Sequence, residues 1–229
     1  MKKGITITII ILLVLGFGYF LFKISPQQEQ VQPGGYNAAL TEHPDIAALN
    51  SPPAFDPSVD HYRGDPKAKN VFIEYGDMQC PYCAEYNPML VQIATAFPDT
   101  VFVFRYFPLL QHRNTVEASL AAEAAGAQGK FWEMHDLIFA KQSDWENLDE
   151  PLDAFTQYAQ QVGVSNLDQF KNEIQQKKSL APLQKGLDEA YALKLQGTPS
   201  YFFNNHPLSV EANASLEKLK QEAQPYFNK

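Results

Sequence analysis

Two short runs rich in β-branched and aromatic residues stand on either side of a helical pattern that begins at a cysteine. The first run is 70–75 (Asn-Val-Phe-Ile-Glu-Tyr), bounded by Lys67-Ala68-Lys69 and Gly76-Asp77. The second is 101–107 (Val-Phe-Val-Phe-Arg-Tyr-Phe). Both read as buried strands. Between them, Tyr82, Tyr86, Met89, Leu90, Ile93 and Phe97 recur at helical spacings, and Pro98 ends the pattern. Pro88 lies inside it and predicts a kink. Strand, helix and strand of these lengths form a βαβ unit, which makes the two strands parallel.

The remaining chain must fit around that unit. After residue 107 the pattern turns helical for about ninety residues. Helices are expected over 114–128, with Asn114 as cap, and over 130–141, 151–162, 166–178 and 180–195. Breaks fall at Gly129, 143–150, Gly163 and Ser179. Strand character returns at Tyr201-Phe202-Phe203. Asn204-Asn205 is a hairpin signal, and 208–210 is expected to pair back. An amphipathic helix over 214–226 closes the chain. The order is βαβ, a helical block, then ββα, an α/β arrangement folding from about residue 61 to 229.

The chain has only two cysteines, in Cys80-Pro81-Tyr82-Cys83. At a helix start this spacing sets the first sulfur over the N-terminal amides and the positive end of the helix dipole, which favours thiolate. The second sulfur lies one turn on, within bonding reach. Pro81 suits the first helical position, where its missing N–H costs nothing. The expected chemistry is attack of a substrate thiolate on an exposed Cys80, with Cys83 as resolving partner. Three plainer readings compete: half of a zinc site, a structural disulfide, and a relic of a redox site. The five histidines (His43, His61, His112, His135, His206) show no ligand pairing, so no metal is expected. A two-residue loop gains little from a structural disulfide.

Gly197-Thr198-Pro199-Ser200 precedes the Tyr201 strand. Proline cannot donate within a ladder, so it belongs at or before the first residue of the strand. An ordinary loop proline is the plain reading. A cis bond would instead turn the Thr198 backbone towards an extended substrate. His112 reads as a surface histidine, with a place near the active site as the alternative. Asn213-Ala214-Ser215 has the form of a sequon, but a helix cap at Asn213 explains it more simply. The segment from Phe131 to His135 reads as core of the helical block.

Taken together, these residues resemble the DsbA-like branch of the thioredoxin superfamily. The resemblance spans roughly 62–227. It is carried by Phe-Ile-Glu-Tyr-Gly-Asp-Met-Gln-Cys-Pro-Tyr-Cys and by Gln-Gly-Thr-Pro-Ser-Tyr-Phe-Phe-Asn. It implies a thioredoxin fold (βαβ … ββα) with an inserted helical domain at about 109–195. It implies Cys80 as nucleophile and Cys83 as buried partner. Thr198 and Pro199 would form the substrate-binding loop, with Pro81 and Tyr82 beside it. Glu74, six residues before Cys80, falls where the family has a buried carboxylate, and such a group would shuttle the Cys83 proton. An outward-facing glutamate is the alternative.

The N-terminus bears on location. The only charges in the first 25 residues are Lys2, Lys3 and Lys23, and 4–22 is an uncharged, largely apolar run. As a helix it would rise about 28 Å, close to the thickness of a bilayer's hydrocarbon core. Residues 1–24 are therefore expected to be an uncleaved anchor, with the rest on the extracytoplasmic side; a cleaved signal is the rival. Residues 25–60, with Gln27, Gln28, Gln30, Gln32, Pro33-Gly34-Gly35 and Pro52-Pro53, read as a flexible linker, with a short helix at 41–49. The net charge is −8 even with those lysines counted, which disfavours nucleic acid as a partner. The expected partners are cysteine-containing exported proteins and, by the family resemblance, a membrane redox protein of quinone-reductase type; no cofactor is expected. An oxidase is the favoured direction. A reductase, an isomerase and a non-catalytic binding module are the alternatives.

Overall fold

The computed structural model describes residues 36–43, 45–209 and 215–227, all within one compact unit. The expected anchor, residues 25–35 and Asn213 lie outside the described residues. Among the described residues, five strands form one sheet: β1 (His61–Arg63), β2 (Asn70–Gly76), β3 (Thr100–Tyr106), β4 (Ser200–Phe203) and β5 (His206–Leu208). Their order is β1-β3-β2-β4-β5. β2 and β3 are parallel, with Phe72 opposite Phe102 and Glu74 opposite Phe104. The other pairings are antiparallel. Helices α1 (Pro81–Leu90) and α2 (Ile93–Ala96) connect β2 to β3. Between β3 and β4 lie α3 (Thr115–Gly126), α4 (Phe131–Ala140), α5 (Gln142–Trp145), α6 (Leu152–Gln161), α7 (Leu167–Gln175) and α8 (Leu180–Ala192). α9 (Leu216–Ala223) follows β5. This is the expected thioredoxin fold with its helical insertion.

Alternation along the strands gives the sheet two chemically different faces. Phe72, Glu74, Phe102, Phe104, Tyr201 and Phe203 share one face. α4 covers it, with Trp132 5.9 Å from Phe102 and His135 4.7 Å from Phe104 between ring centroids. Tyr75 and Arg105 project to the other face, where α8 brings Glu189: the Tyr75 hydroxyl donates to Glu189 at 2.7 Å. α8 approaches the sheet so closely at Gly186 that a methyl group there would strike the Tyr106 backbone carbonyl. Glycine is required at that crossing for lack of space, not for its backbone freedom.

The structure departs from the sequence reading in several places. The helix expected over 80–97 does not merely kink at Pro88; it ends at Leu90 and restarts at Ile93. β1 and α5, each of three or four residues, are too short to show a period in the sequence. The second hairpin strand begins at His206, not at 208. Asn204 and Asn205 both take positive φ (48° and 69°), a two-residue turn that returns the chain to pairing at once.

The largest correction concerns 36–60, expected to be part of a flexible linker. Tyr36 and Leu40 are buried, and the described residues of 41–49 form no helix. The Asn37 side-chain amide donates to the Leu110 and His112 carbonyls at 2.9 and 2.8 Å. Gln184 brackets the Thr41 backbone, and the Leu49 N–H donates to the Ala192 carbonyl at 2.8 Å. Arg105 then clamps the end of the segment: it donates twice to Asp60 (3.0 and 2.9 Å) and to the carbonyls of Pro53 and Ala54. Composition measures how little apolar surface such a segment can bury. It does not register polar backbone groups that find partners on a folded neighbour.

Candidate active site

β2 ends at Gly76, a four-residue turn follows, and Cys80 becomes the N-cap of α1 with extended backbone (φ −71°, ψ 124°). Pro81 occupies the first helical position, as its geometry favours. Both thiols are free. The Cys83 thiol donates to the Cys80 sulfur, and the Cys83 backbone N–H, one of the unsatisfied donors of the helix start, adds to it. Against the opposing effect of burial, these bonds bring the Cys80 pKa down to about 6 from 9.0. Cys83 is driven the other way. Burial, its bond to Cys80 and the nearby Glu74 all push its thiol well above the ordinary value. The two sulfurs thus differ in the sense that exchange chemistry needs: one ionised near neutral pH, the other holding its proton.

Thr198 and Pro199 meet this pair from β4, the antiparallel neighbour of β2, where Tyr75 faces Ser200. The Thr198–Pro199 bond is cis. The Thr198 carbonyl accepts from the Cys80 thiol at 3.3 Å, and the Thr198 side chain, its hydroxyl buried, adds to the lowering of the Cys80 pKa. Pro81 and Tyr82 are exposed on the outer side, Tyr82 by 59%. Cys80 itself, expected to be exposed, is only 3% accessible, against 0% for Cys83. The order of accessibility matches the expectation; the degree does not. The Thr198 loop stands against the sulfur. The Gln142 amide from α5 donates to the Cys80 carbonyl at 3.2 Å.

Glu74 faces inward below the pair, 1% accessible, with its Oε1 lacking any hydrogen-bond partner. Burial, and secondarily the Cys80 charge, push its pKa up to about 8, while Arg63 pulls weakly the other way. The carboxyl therefore holds a proton at neutral pH and can trade it with Cys83. The sequence alone leaves its orientation open.

Three groups were missed or misjudged. Asp77 is 1% accessible, and its carboxylate accepts from the Gln79 N–H (2.6 Å), the Thr115 hydroxyl (2.7 Å), the Leu109 N–H (2.6 Å) and His112 Nδ1 (3.0 Å). Its own carbonyl accepts from the Cys80 N–H at 3.0 Å. The local bond to Gln79 two residues on is an Asx-turn that the sequence position of Asp77 permitted one to expect. The other three bonds are long-range and left no local trace. His112, expected at the surface, is the fourth of these partners. Asn114, expected to cap α3, stands at the N-cap but makes no capping bond. Its amide donates instead to the carbonyls of Trp145, Glu146 and Leu148. With Gln79 bonded to Glu146 and Asn114, this ties the helical insertion to the turn that carries Cys80.

A thioredoxin-type sheet that presents a reactive dithiol at a helix start, opposite a cis-proline loop, defines a class of thiol-exchange site. The Thioredoxin family model matches residues 57–222, and the chain belongs to that family. Among solved structures, BdbD from Bacillus subtilis superposes with a TM-score of 0.67 at 20% identity, covering 79% of this chain and 98% of that one. A thioredoxin-like oxidoreductase from Silicibacter pomeroyi gives 0.63 at 22% identity, over 75% and 93%. Pseudomonas aeruginosa DsbA2 gives 0.57 at 23% identity, over 73% and 94%. These likenesses establish the fold, with the helical insertion. In sequence, the chain is 36% identical over 150 residues to a Na(+)/H(+) antiporter NhaA 1 of Salinispora arenicola, 65% of this chain. It is 33% identical over 162 residues to NhaA 3 of Salinispora tropica. It spans only 22% and 24% of the length of these two relatives. Among the described residues no helix is long and apolar enough to cross a membrane.

Proposed function

We propose that this protein is a dithiol–disulfide oxidoreductase that introduces disulfides into exported proteins, held at the outer face of a membrane by residues 4–22. The observation that carries the reading is the asymmetric pair, with Cys80 titrating at about 6 and Cys83 far above. In the oxidised enzyme a substrate thiolate attacks the Cys80 sulfur. The Cys80–Cys83 bond breaks, and Cys83 leaves and takes up a proton, for which Glu74 is placed. The second substrate thiol then displaces Cys80 from the mixed disulfide. The substrate loses two electrons and two protons, and the enzyme ends as the dithiol. The Thr198 backbone, with Pro81 and Tyr82, supplies the substrate-facing surface.

The proposed direction is supported by which form is stabilised. Lowering the Cys80 pKa from 9.0 to about 6 favours the reduced form at pH 7 by roughly one pH unit, about 1.4 kcal/mol, which raises the potential by on the order of 30 mV. Each turnover leaves the dithiol. An anchor in the bilayer holds it near a quinone-linked membrane protein that accepts the two electrons. The run at 4–22 and the basic residues before it support the anchor and the outward orientation.

Equilibration of the protein against a glutathione series tests this reading. The expected result is a potential well above about −270 mV, the thioredoxin value, with oxidation of a reduced cysteine-containing protein and little reduction of insulin. A potential near the thioredoxin value with rapid insulin reduction would make the protein a reductase.

A further inference from the structure

The acidic group nearest the nucleophile in sequence is an electrostatic liability. Asp77 is fully buried, and its charge raises the Cys80 pKa, opposing the thiolate. It cannot simply be dispensed with. Its four accepted bonds join the turn before Cys80 to the loop after β3 and to the first turn of α3. One of those four donors is an imidazole, and only that one can carry a positive charge. His112 is held from two sides: Nδ1 on the Asp77 carboxylate at 3.0 Å, and its backbone carbonyl on the Asn37 amide at 2.8 Å. Its side chain is 26% exposed, so the ring can exchange protons with solvent.

We propose that His112 is a positioning residue for the dithiol chemistry: as imidazolium it neutralises Asp77 and so favours the Cys80 thiolate. The groups acting on the ring are Asp77 in the turn after β2, Cys80 at the start of α1 and Glu146 after α5. The hydrogen bond to Asp77, then the charges of Asp77, Cys80 and Glu146, raise its pKa against the effect of burial, so the cation persists above the usual histidine range. The device reaches back to the segment read as a linker, because Asn37 fixes the loop that carries the ring. It acts on the thiolate, and so holds whichever way electrons flow.

The test is the alkylation rate of Cys80 against pH in the reduced, full-length protein, comparing the unmodified chain with His112→Gln, His112→Lys and Arg113→Gln. Glutamine retains a donor for Asp77 and removes the charge. Arg113→Gln removes an equal charge from the neighbouring residue, whose partner is the exposed Asp149. The expected result is an upward shift of the Cys80 midpoint in His112→Gln, with alkylation at pH 6 slowed on the order of threefold to tenfold. His112→Lys should restore part of the loss, and Arg113→Gln should leave the midpoint in place. A midpoint unmoved or lowered in His112→Gln, or moved equally by Arg113→Gln, overturns the proposal. A thioredoxin-like potential would overturn the oxidase reading while leaving this shift expected.

Discussion

Replacing Glu74 by Gln keeps the shape of the side chain and removes its ability to ionise, which isolates the effect of one buried carboxyl. In the folded, reduced protein that carboxyl titrates at about 8, chiefly because it is buried and then because of the Cys80 charge; its unperturbed value is 4.5. Between those two values the folded state holds a proton that the unfolded state has released. Unfolding then releases a proton, so stability falls as pH rises from about 4.5 to about 8. At pH 7 the gap is roughly 2.5 pH units, or about 3 kcal/mol at about 1.36 kcal/mol per unit. Glutamine has no such dependence. Glu74→Gln should therefore match the unmodified protein at pH 4 and exceed its stability by up to about 3 kcal/mol at pH 7. Urea unfolding of both reduced proteins at pH 4, 5.5 and 7 measures the difference directly. Oxidation should shrink it, because the disulfide removes the Cys80 charge that adds to the Glu74 shift. The more stable variant should also be the slower enzyme. Without a proton donor beside Cys83, attack of a substrate thiolate on the oxidised pair, with departure of Cys83, should slow ~10-fold or more. Stability curves that stay parallel from pH 4 to 7 would refute a buried, proton-holding Glu74.

Three further outcomes follow from the same geometry. Cys83→Ala should accumulate mixed disulfides with cysteine-containing substrates, visible on non-reducing gels, while Cys80→Ala accumulates none; the opposite pattern would reverse the roles. Arg105→Met should cost about 3–5 kcal/mol in denaturant unfolding, because it strands Asp60 and Glu189 in a buried site. It should also open 45–60 to limited proteolysis, and resistance equal to the unmodified chain would show that the clamp is dispensable. Gly186→Ala forces a methyl group against the Tyr106 carbonyl and should lower stability by about 1–3 kcal/mol. A melting temperature unchanged by that substitution would mean that α8 can lift off the sheet freely.

The sequence by itself determined the parts of this protein whose physics is local. The β2–α1–β3 unit shows in run length and helical period, and the dithiol shows in a spacing that needs only one helical turn and a proline at its first position. Even the hairpin was legible, because two asparagines tolerate the positive φ that a two-residue turn demands. Thr198 and Pro199 were legible as residue types. Their arrival 3.3 Å from the Cys80 sulfur depends on β4 lying beside β2. What only the tertiary structure decided is the electrostatics. Glu74 faces inward because α4 covers that side of the sheet. Asp77 gains His112 because the loop after β3 crosses the turn before Cys80. Residues 36–60 are docked by hydrogen bonds to partners as distant as His43 from Asp188, 145 positions along the chain. A hydrophobic period repeats and can be read from one strand of text; a long-range polar contact occurs once, and exists only when the chain has closed around it.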